Sequence, residues 1–166
     1  VKIFIIGLPG SGKSTLGRQL ADSMQYPFFD LDRCIEAEEK TSVQEIFEKK
    51  GEPYFRKSEA AVLRKISQKE DSFVMATGGG TPCYYDNLSY MNDAGITVFL
   101  DVPVQKILER FTHEEIQKRP LLKGCDALQK MQQLLETRLP VYSKAKFRIS
   151  DGDLDAVVRL LTILRK

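Results

Sequence analysis

The sequence predicts a doubly wound α/β fold, and three observations carry that prediction. Five short apolar runs read as buried strands, amphipathic helical stretches separate them, and the first run ends in a glycine-rich turn that opens a helix. In chain order the strands are "KIFII" (2–6), "PFFD" (27–30), "SFVMA" (72–76), "TVFLD" (97–101) and "KFRIS" (146–150). They are apolar on both faces, which suits a parallel sheet covered on both sides and not a half-exposed antiparallel one. The helical pattern is clearest at the C-terminus, where Leu154, Val157, Val158, Leu161 and Leu164 recur at steps of three and four. Crossovers in such a fold are right-handed, and ligands gather at the carboxyl ends of the strands. Nearly all the unusual residues of this chain fall at those ends. The charged stretch "FTHEEIQKRPLLKGCDALQK" (111–130) reads as an excursion from the sheet, and no repeat or linker divides residues 1–166, so one domain is expected.

Composition narrows the function classes. With 42% hydrophobic and 29% charged residues among 166, the chain is an ordinary globular domain, large enough to bury roughly 70% of its unfolded surface. A net charge of +2 argues against a nucleic-acid or acidic-membrane partner, so any electropositive feature must be local. Cys34, Cys83 and Cys125 form no C-x-x-C pair and are odd in number, which favours free thiols in the cytoplasm. No apolar stretch has the length of a membrane span, and "VKIFII" is too short for a secretion signal.

The turn after the first strand is "GLPGSGKST", and Gly7–Ser14 fits G-x-x-x-x-G-K-[ST] between a predicted strand and a predicted helix. Glycines let the loop curl so that successive N–H groups face phosphate oxygens, and the following helix adds its positive end. Gly10, Ser11, Gly12, Lys13, Ser14 and Thr15 form the expected ATP cradle, with Lys13 supplying charge to the β- and γ-phosphates and Ser14 a ligand to Mg²⁺. A flexible glycine turn with a solvated lysine is the bland alternative. Such a match arises by chance in on the order of 1% of chains this size, and the flanking elements make it rarer. The D-x-x-G and N-K-x-D signatures of switch GTPases are absent. "TVFLD", ending at Asp101, has the form of a Walker-B strand but reads more simply as the fourth buried strand with a capping acid. A small kinase leads.

Three further features fit a kinase. "FFDLD" places Asp30 and Asp32 at the end of the second strand, where a spacing of two turns both to one side. In an arbitrary protein they would be helix-capping acids. Beside a P-loop, Asp30 is expected to hold Mg²⁺ through water and Asp32 to orient and deprotonate an acceptor hydroxyl. Gly78, Gly79 and Gly80 in "ATGGGTP" indicate close approach of backbone to a ligand. Arg56, Arg119 and Arg138 are each ordinary surface arginines when taken alone. As a set, they suit an anionic acceptor and the transferring phosphate. His113 and the cysteines make no metal or catalytic set, and "EAEEK" (36–40) reads as a solvated helix face.

In order along the chain, "GLPGSGKSTLG", "FFDLDRCIE", "FRKSE", "GGG", "RPLL" and "TRLPVY" resemble shikimate kinase, the P-loop enzyme that phosphorylates the 3-hydroxyl of shikimate. The P-loop is shared widely; D-x-D, F-R-x-x-E, the glycine triplet and R-P-L-L are more specific in combination. The resemblance implies a three-layer P-loop kinase fold with a parallel sheet in order 2-3-1-4-5. It also implies a shikimate-binding helical region near 31–62 and a lid near 111–124. By position, Asp32, Arg56, Gly79 and Arg138 look like shikimate contacts, joined by Gly78 and Gly80, with Arg56 and Arg138 on the carboxylate. Lys13 and Arg119 look like the phosphate-stabilising cations, catalytic together with Asp32, Ser14 like the Mg²⁺ ligand and Arg110 like an adenine-side contact. Two departures are Pro82, where the family usually has an aliphatic residue, and a longer interval between Arg110 and Arg119. Residue chemistry alone supports a kinase of a small anionic hydroxyl compound. Kinases of gluconate or a nucleoside monophosphate remain open, as does a regulatory nucleotide-binding module, although an acceptor pocket argues against the last. A monomer is expected, with ATP and shikimate as its partners.

Overall fold

The computed structural model describes residues 1–112, 126–150, 160, 162 and 163. Its sheet has five parallel strands: β1 (Lys2–Ile6), β2 (Phe28–Asp30), β3 (Phe73–Ala76), β4 (Ile96–Asp101) and β5 (Phe147–Ser150). Their order is β2-β3-β1-β4-β5, as the resemblance implies, and each observed strand lies within one residue of its predicted bounds. Seven helices are described: α1 (Lys13–Met24), α2 (Leu31–Glu39), α3 (Val43–Lys50), α4 (Glu52–Lys69), α5 (Asn87–Ala94), α6 (Val104–Glu109) and α7 (Ala127–Tyr142), with a 3₁₀ turn at Thr81–Cys83. Of the C-terminal periodic stretch, residues 160, 162 and 163 are described; all are helical, and Leu160 is buried.

Central position explains the apolar runs. Ile3–Ile6 of β1 and Phe73–Met75 of β3 have no exposed surface, because both strands are paired on each edge and covered on both faces. Phe73 also meets Phe4 and Phe29 edge to face, at centroid distances of 5.4 and 5.8 Å. Gly17 lets α1 settle onto the sheet: a methyl group there would lie 2.5 Å from Phe28.

Parallel register brings the carboxyl ends of β1, β2 and β3 together, with Ile5 and Asp30 both opposite Ala76. The connection after β1 runs toward β2 and the one after β3 toward β4. The adjacent ends of β1 and β3 therefore form a switch point, where a ligand crevice opens. Among the described residues no helix is long and apolar enough to cross a membrane.

Candidate active site

The loop after β1 curls as the glycine spacing requires. Gly10 and Gly12 take φ of +77° and +96°, values that side chains rarely allow. Gly12 is also the N-cap of α1, and no side chain caps that end, so its first-turn N–H groups face the crevice. The Ser11 hydroxyl is buried with no partner among the described residues. Lys13, only 8% exposed, donates from its ammonium to the carbonyls of Gly7 (3.0 Å) and Leu8 (2.7 Å). Thr15 is exposed in the first turn of α1. From the far side of the loop, Arg110 at the end of α6 donates to the Ser11 carbonyl at 3.4 Å. The loop thus forms a cradle at an uncapped helix N-terminus, with a guanidinium lying over it.

Ser14 and Asp30 meet directly, the hydroxyl donating to Oδ2 at 2.8 Å. A hydroxyl and a carboxylate side by side are the hard oxygen donors that Mg²⁺ accepts alongside phosphate oxygens and water, so the residues present fit this ion. Among the described residues no cluster of three or more His, Cys, Asp or Glu forms a metal cage.

The acid pair departs from its predicted geometry. Asp30 ends β2 and caps α2, its Oδ1 accepting from the Arg33 N–H at 3.4 Å, while Asp32 already lies in the first turn of α2. The side-to-side periodicity of a strand therefore does not relate them, because the chain turns into a helix after Asp30. Asp32 faces the crevice instead through its helical position. Its Oδ1 is buried and unpartnered among the described residues. Burial, reinforced by Glu59 and Asp30 and opposed by Lys13, pushes its carboxyl from 3.8 up to about 6.

Opposite Asp32 the loop after β3 carries the glycine triplet, and what approaches its backbone is the protein's own side chains. None of the three glycines has a left-handed φ. A methyl at Gly78 would lie 2.8 Å from Glu59 Oε1 and 3.1 Å from Asp32 Oδ1. One at Gly79 would lie 2.7 Å from Pro9 and 3.0 Å from Arg138 Nη1, and one at Gly80 would lie 2.6 Å from Arg56 Cζ. The triplet is the floor against which Asp32, Arg56 and Arg138 are packed.

Both predicted clamp arginines are buried, Arg56 at 4% and Arg138 at 5% exposure. On α4, Glu52, Arg56 and Glu59 share one face by their spacings of four and three. Arg56 donates to Glu52 through Nε (3.2 Å) and Nη2 (3.1 Å), and to Glu59 through Nη1 (3.0 Å). The Tyr84 ring covers the guanidinium at 4.5 Å. Arg138 comes from α7, and its Nη1 is unpartnered among the described residues. Tyr142, one helical turn on, donates to the Gly79 carbonyl, and burial pushes its phenol well up. Glu59 has no exposed surface; burial raises its carboxyl while Arg56, Thr81 and Arg138 pull it down.

Sequence reasoning did not assign Glu59, Thr81, Glu52, Tyr84 or Tyr142 to the site. For Glu59 and Glu52 the signal was visible in "EPYFRKSE", where acids four residues before and three after an arginine share its helix face; Thr81, Tyr84 and Tyr142 depend on contacts between distant segments. Asp101 does not cap a helix: α6 has Pro103 at its N-cap with no side-chain cap, and Arg148 of β5 holds Asp101 at 3.0 Å through Nε and also through Nη2. Pro82 sits inside the 3₁₀ turn that follows the triplet, a position compatible with its fixed φ. Arg119, His113, Cys125 and most of the predicted lid lie outside the described residues.

The shikimate kinase family model matches residues 9–164. The chain belongs to the shikimate kinase family. A shikimate kinase of Aquifex aeolicus is 42% identical over 149 residues, spanning 90% of this chain and 86% of that protein. The solved shikimate kinase of Bacteroides thetaiotaomicron aligns with a TM-score of 0.87 at 36% identity, covering 100% of this chain and 99% of its own. That of Acinetobacter baumannii, solved in complex with shikimate, aligns at 0.88 with 34% identity and covers 99% and 90%. A gluconokinase of Sinorhizobium meliloti, at 16% identity and a TM-score of 0.55, shares the fold alone. The two shikimate kinase structures thus align with the helices that carry Asp32, Arg56 and Arg138.

Proposed function

We infer that this shikimate kinase family member transfers the γ-phosphoryl group of ATP to the 3-hydroxyl of shikimate, giving shikimate 3-phosphate and ADP. The observation that carries the reading is the pocket beside the P-loop. It combines an orphaned carboxylate oxygen of Asp32 with an orphaned guanidinium nitrogen of Arg138 across the glycine triplet. A hydroxyl and a carboxylate on one small ring supply the partners those two atoms lack.

In this reading ATP lies along Gly10–Thr15 with its phosphates on the first-turn N–H groups of α1, and Arg110 borders its base. Lys13 leaves the loop carbonyls for the β- and γ-phosphates, and Arg119 adds a second charge as negative charge develops on the transferring group. Ser14, with Asp30 through water, would hold Mg²⁺, which neutralises phosphate charge when bound. Arg56 and Arg138 fix the acceptor carboxylate, with Gly78, Gly79 and Gly80 at its back. Asp32 accepts the 3-hydroxyl proton as that oxygen bonds to the γ-phosphorus, and the bond to the β-bridging oxygen breaks. Both clamp arginines and Asp32 lie on one chain, which supports a monomeric catalyst. The free thiols of Cys34 and Cys83 support a cytoplasmic setting.

The test is ADP release with shikimate, its carboxylate-reduced alcohol and gluconate as acceptors. Shikimate should be turned over with a kcat/KM at least 30-fold above the alcohol, because losing the carboxylate leaves the buried Arg138 Nη1 without a partner, at a cost of about 2–5 kcal/mol. Gluconate should give background. Equal use of acid and alcohol would remove the carboxylate clamp, and preference for gluconate would overturn the acceptor.

A further inference from the structure

Behind the acceptor clamp runs a chain of polar contacts that reaches the surface of α4. Arg64 donates to Asn87 Oδ1 at 2.6 Å, to the Tyr85 carbonyl at 2.8 Å and to the Ala60 carbonyl at 3.1 Å. Asn87 donates from Nδ2 to the Thr81 carbonyl at 2.9 Å. The Thr81 hydroxyl donates to Glu59 Oε1 at 2.5 Å, and Glu59 Oε2 receives Arg56 at 3.0 Å. Asn87, Thr81 and Glu59 have no exposed surface.

We propose that Asn87 is a positioning residue for the acceptor carboxylate: it fixes Thr81, which orients Glu59, which holds Arg56 in its clamping geometry. This rests on the clamp assigned above. Both ends of the Asn87 amide are used, one as acceptor from Arg64 and one as donor to Thr81, so no other residue of this size serves both partners. The loop it braces needs bracing. Tyr85 and Asp86 both take left-handed φ, +51° and +53°, without being glycine. The Arg64 bond to the Tyr85 carbonyl and the Asn87 N–H bond to the Tyr84 carbonyl (3.0 Å) hold that turn. Glu59 has a further reason to need a fixed partner. Its Oε1 lies beside Gly78 and Asp32, so a carboxylate that swung toward Asp32 would set two acids against each other and take from Arg56 Nη1 its partner, leaving the guanidinium held by Glu52 alone among the acids.

The experiment compares Asn87→Asp, Thr81→Val and the double variant by steady-state kinetics in both substrates. Asn87→Asp keeps the volume and the acceptor for Arg64 but opposes an oxygen to the Thr81 carbonyl. Each single variant should raise the KM for shikimate about tenfold or more, with the KM for ATP within twofold and kcat changed far less than KM. Because the residues act in series, the double variant should be no worse than the weaker-binding single. Multiplicative effects would overturn the proposal, as would parallel losses in both substrates, the mark of a merely structural role. Should Asn87→Asp fail to fold, Arg64→Lys carries the same expectation at smaller amplitude. Unchanged shikimate KM in both Thr81→Val and Arg64→Lys overturns it. Absence of shikimate turnover in the parent protein would instead overturn the functional reading itself.

Discussion

Burial at Oδ1, together with the carboxylates of Glu59 and Asp30, raises the Asp32 carboxyl from 3.8 to about 6 against the pull of Lys13. Between about pH 4 and 6 the folded protein therefore binds more protons than the unfolded chain, so this residue subtracts stability as pH rises through that window. Above it the full cost persists, up to roughly 3 kcal/mol. Asp32→Asn should raise the thermal midpoint at pH 8 and lose that advantage as pH falls to 4, by scanning calorimetry at both values. The same substitution should lower kcat by roughly 10²-fold or more, because an amide cannot take the acceptor proton. In the parent protein kcat/KM should fall on the acid side below about pH 6. A variant that is active, or no more stable at pH 8, would mean that the strained acid is not the base. A costly ionised group kept in the crevice is what a general base near neutral pH requires.

At the level of the element, the loop after β3 is shaped by what packs on it. Gly80 has φ −89° and ψ −16°, a conformation open to any residue, so alanine there carries no backbone penalty. The obstacle is steric, since the new methyl would overlap the Arg56 guanidinium that Glu52, Glu59 and Tyr84 hold in place. Gly80→Ala should therefore cost about 1–3 kcal/mol of stability by overpacking. It should raise the KM for the acceptor about tenfold or more and leave the KM for ATP unchanged, as the atoms nearest the new methyl belong to Arg56 and not to the P-loop. Equal rises for both substrates would place the damage in the sheet. In "GGG" the need for small residues was legible, but the side chains that impose it were not. Arg56 lies 22 residues before the triplet and Arg138 58 after it, and no local pattern links such positions.

For the molecule as a whole, ligands that bind only the folded state raise stability by mass action, about 2.7 kcal/mol at a hundredfold excess over Kd. For a chain of 166 residues that corresponds to roughly 5–10 °C in Tm. Shikimate and Mg·ATP should each give such a shift by thermal melting, and gluconate none. A shift with gluconate equal to that with shikimate would show that the pocket does not discriminate by carboxylate and ring geometry.

The strands, their alternation with helices and the nucleotide loop were legible because each is a local pattern. Burial on both faces demands contiguous apolar residues in β1 and β3, and a phosphate cradle demands glycines at fixed steps before a helix. Asp32, Arg56 and Arg138 stood out by residue type and motif, yet their mutual arrangement did not follow from spacing. The spacing of Asp30 and Asp32 even pointed to the wrong geometry, because α2 begins between them. Only the tertiary structure set Thr81 on Glu59, Arg148 on Asp101 and Asn87 between Arg64 and Thr81. Those contacts join segments that the parallel sheet brings to one edge. A buried charge or amide chooses its partner by what lies within about 3 Å of it in space, not by its neighbours along the chain.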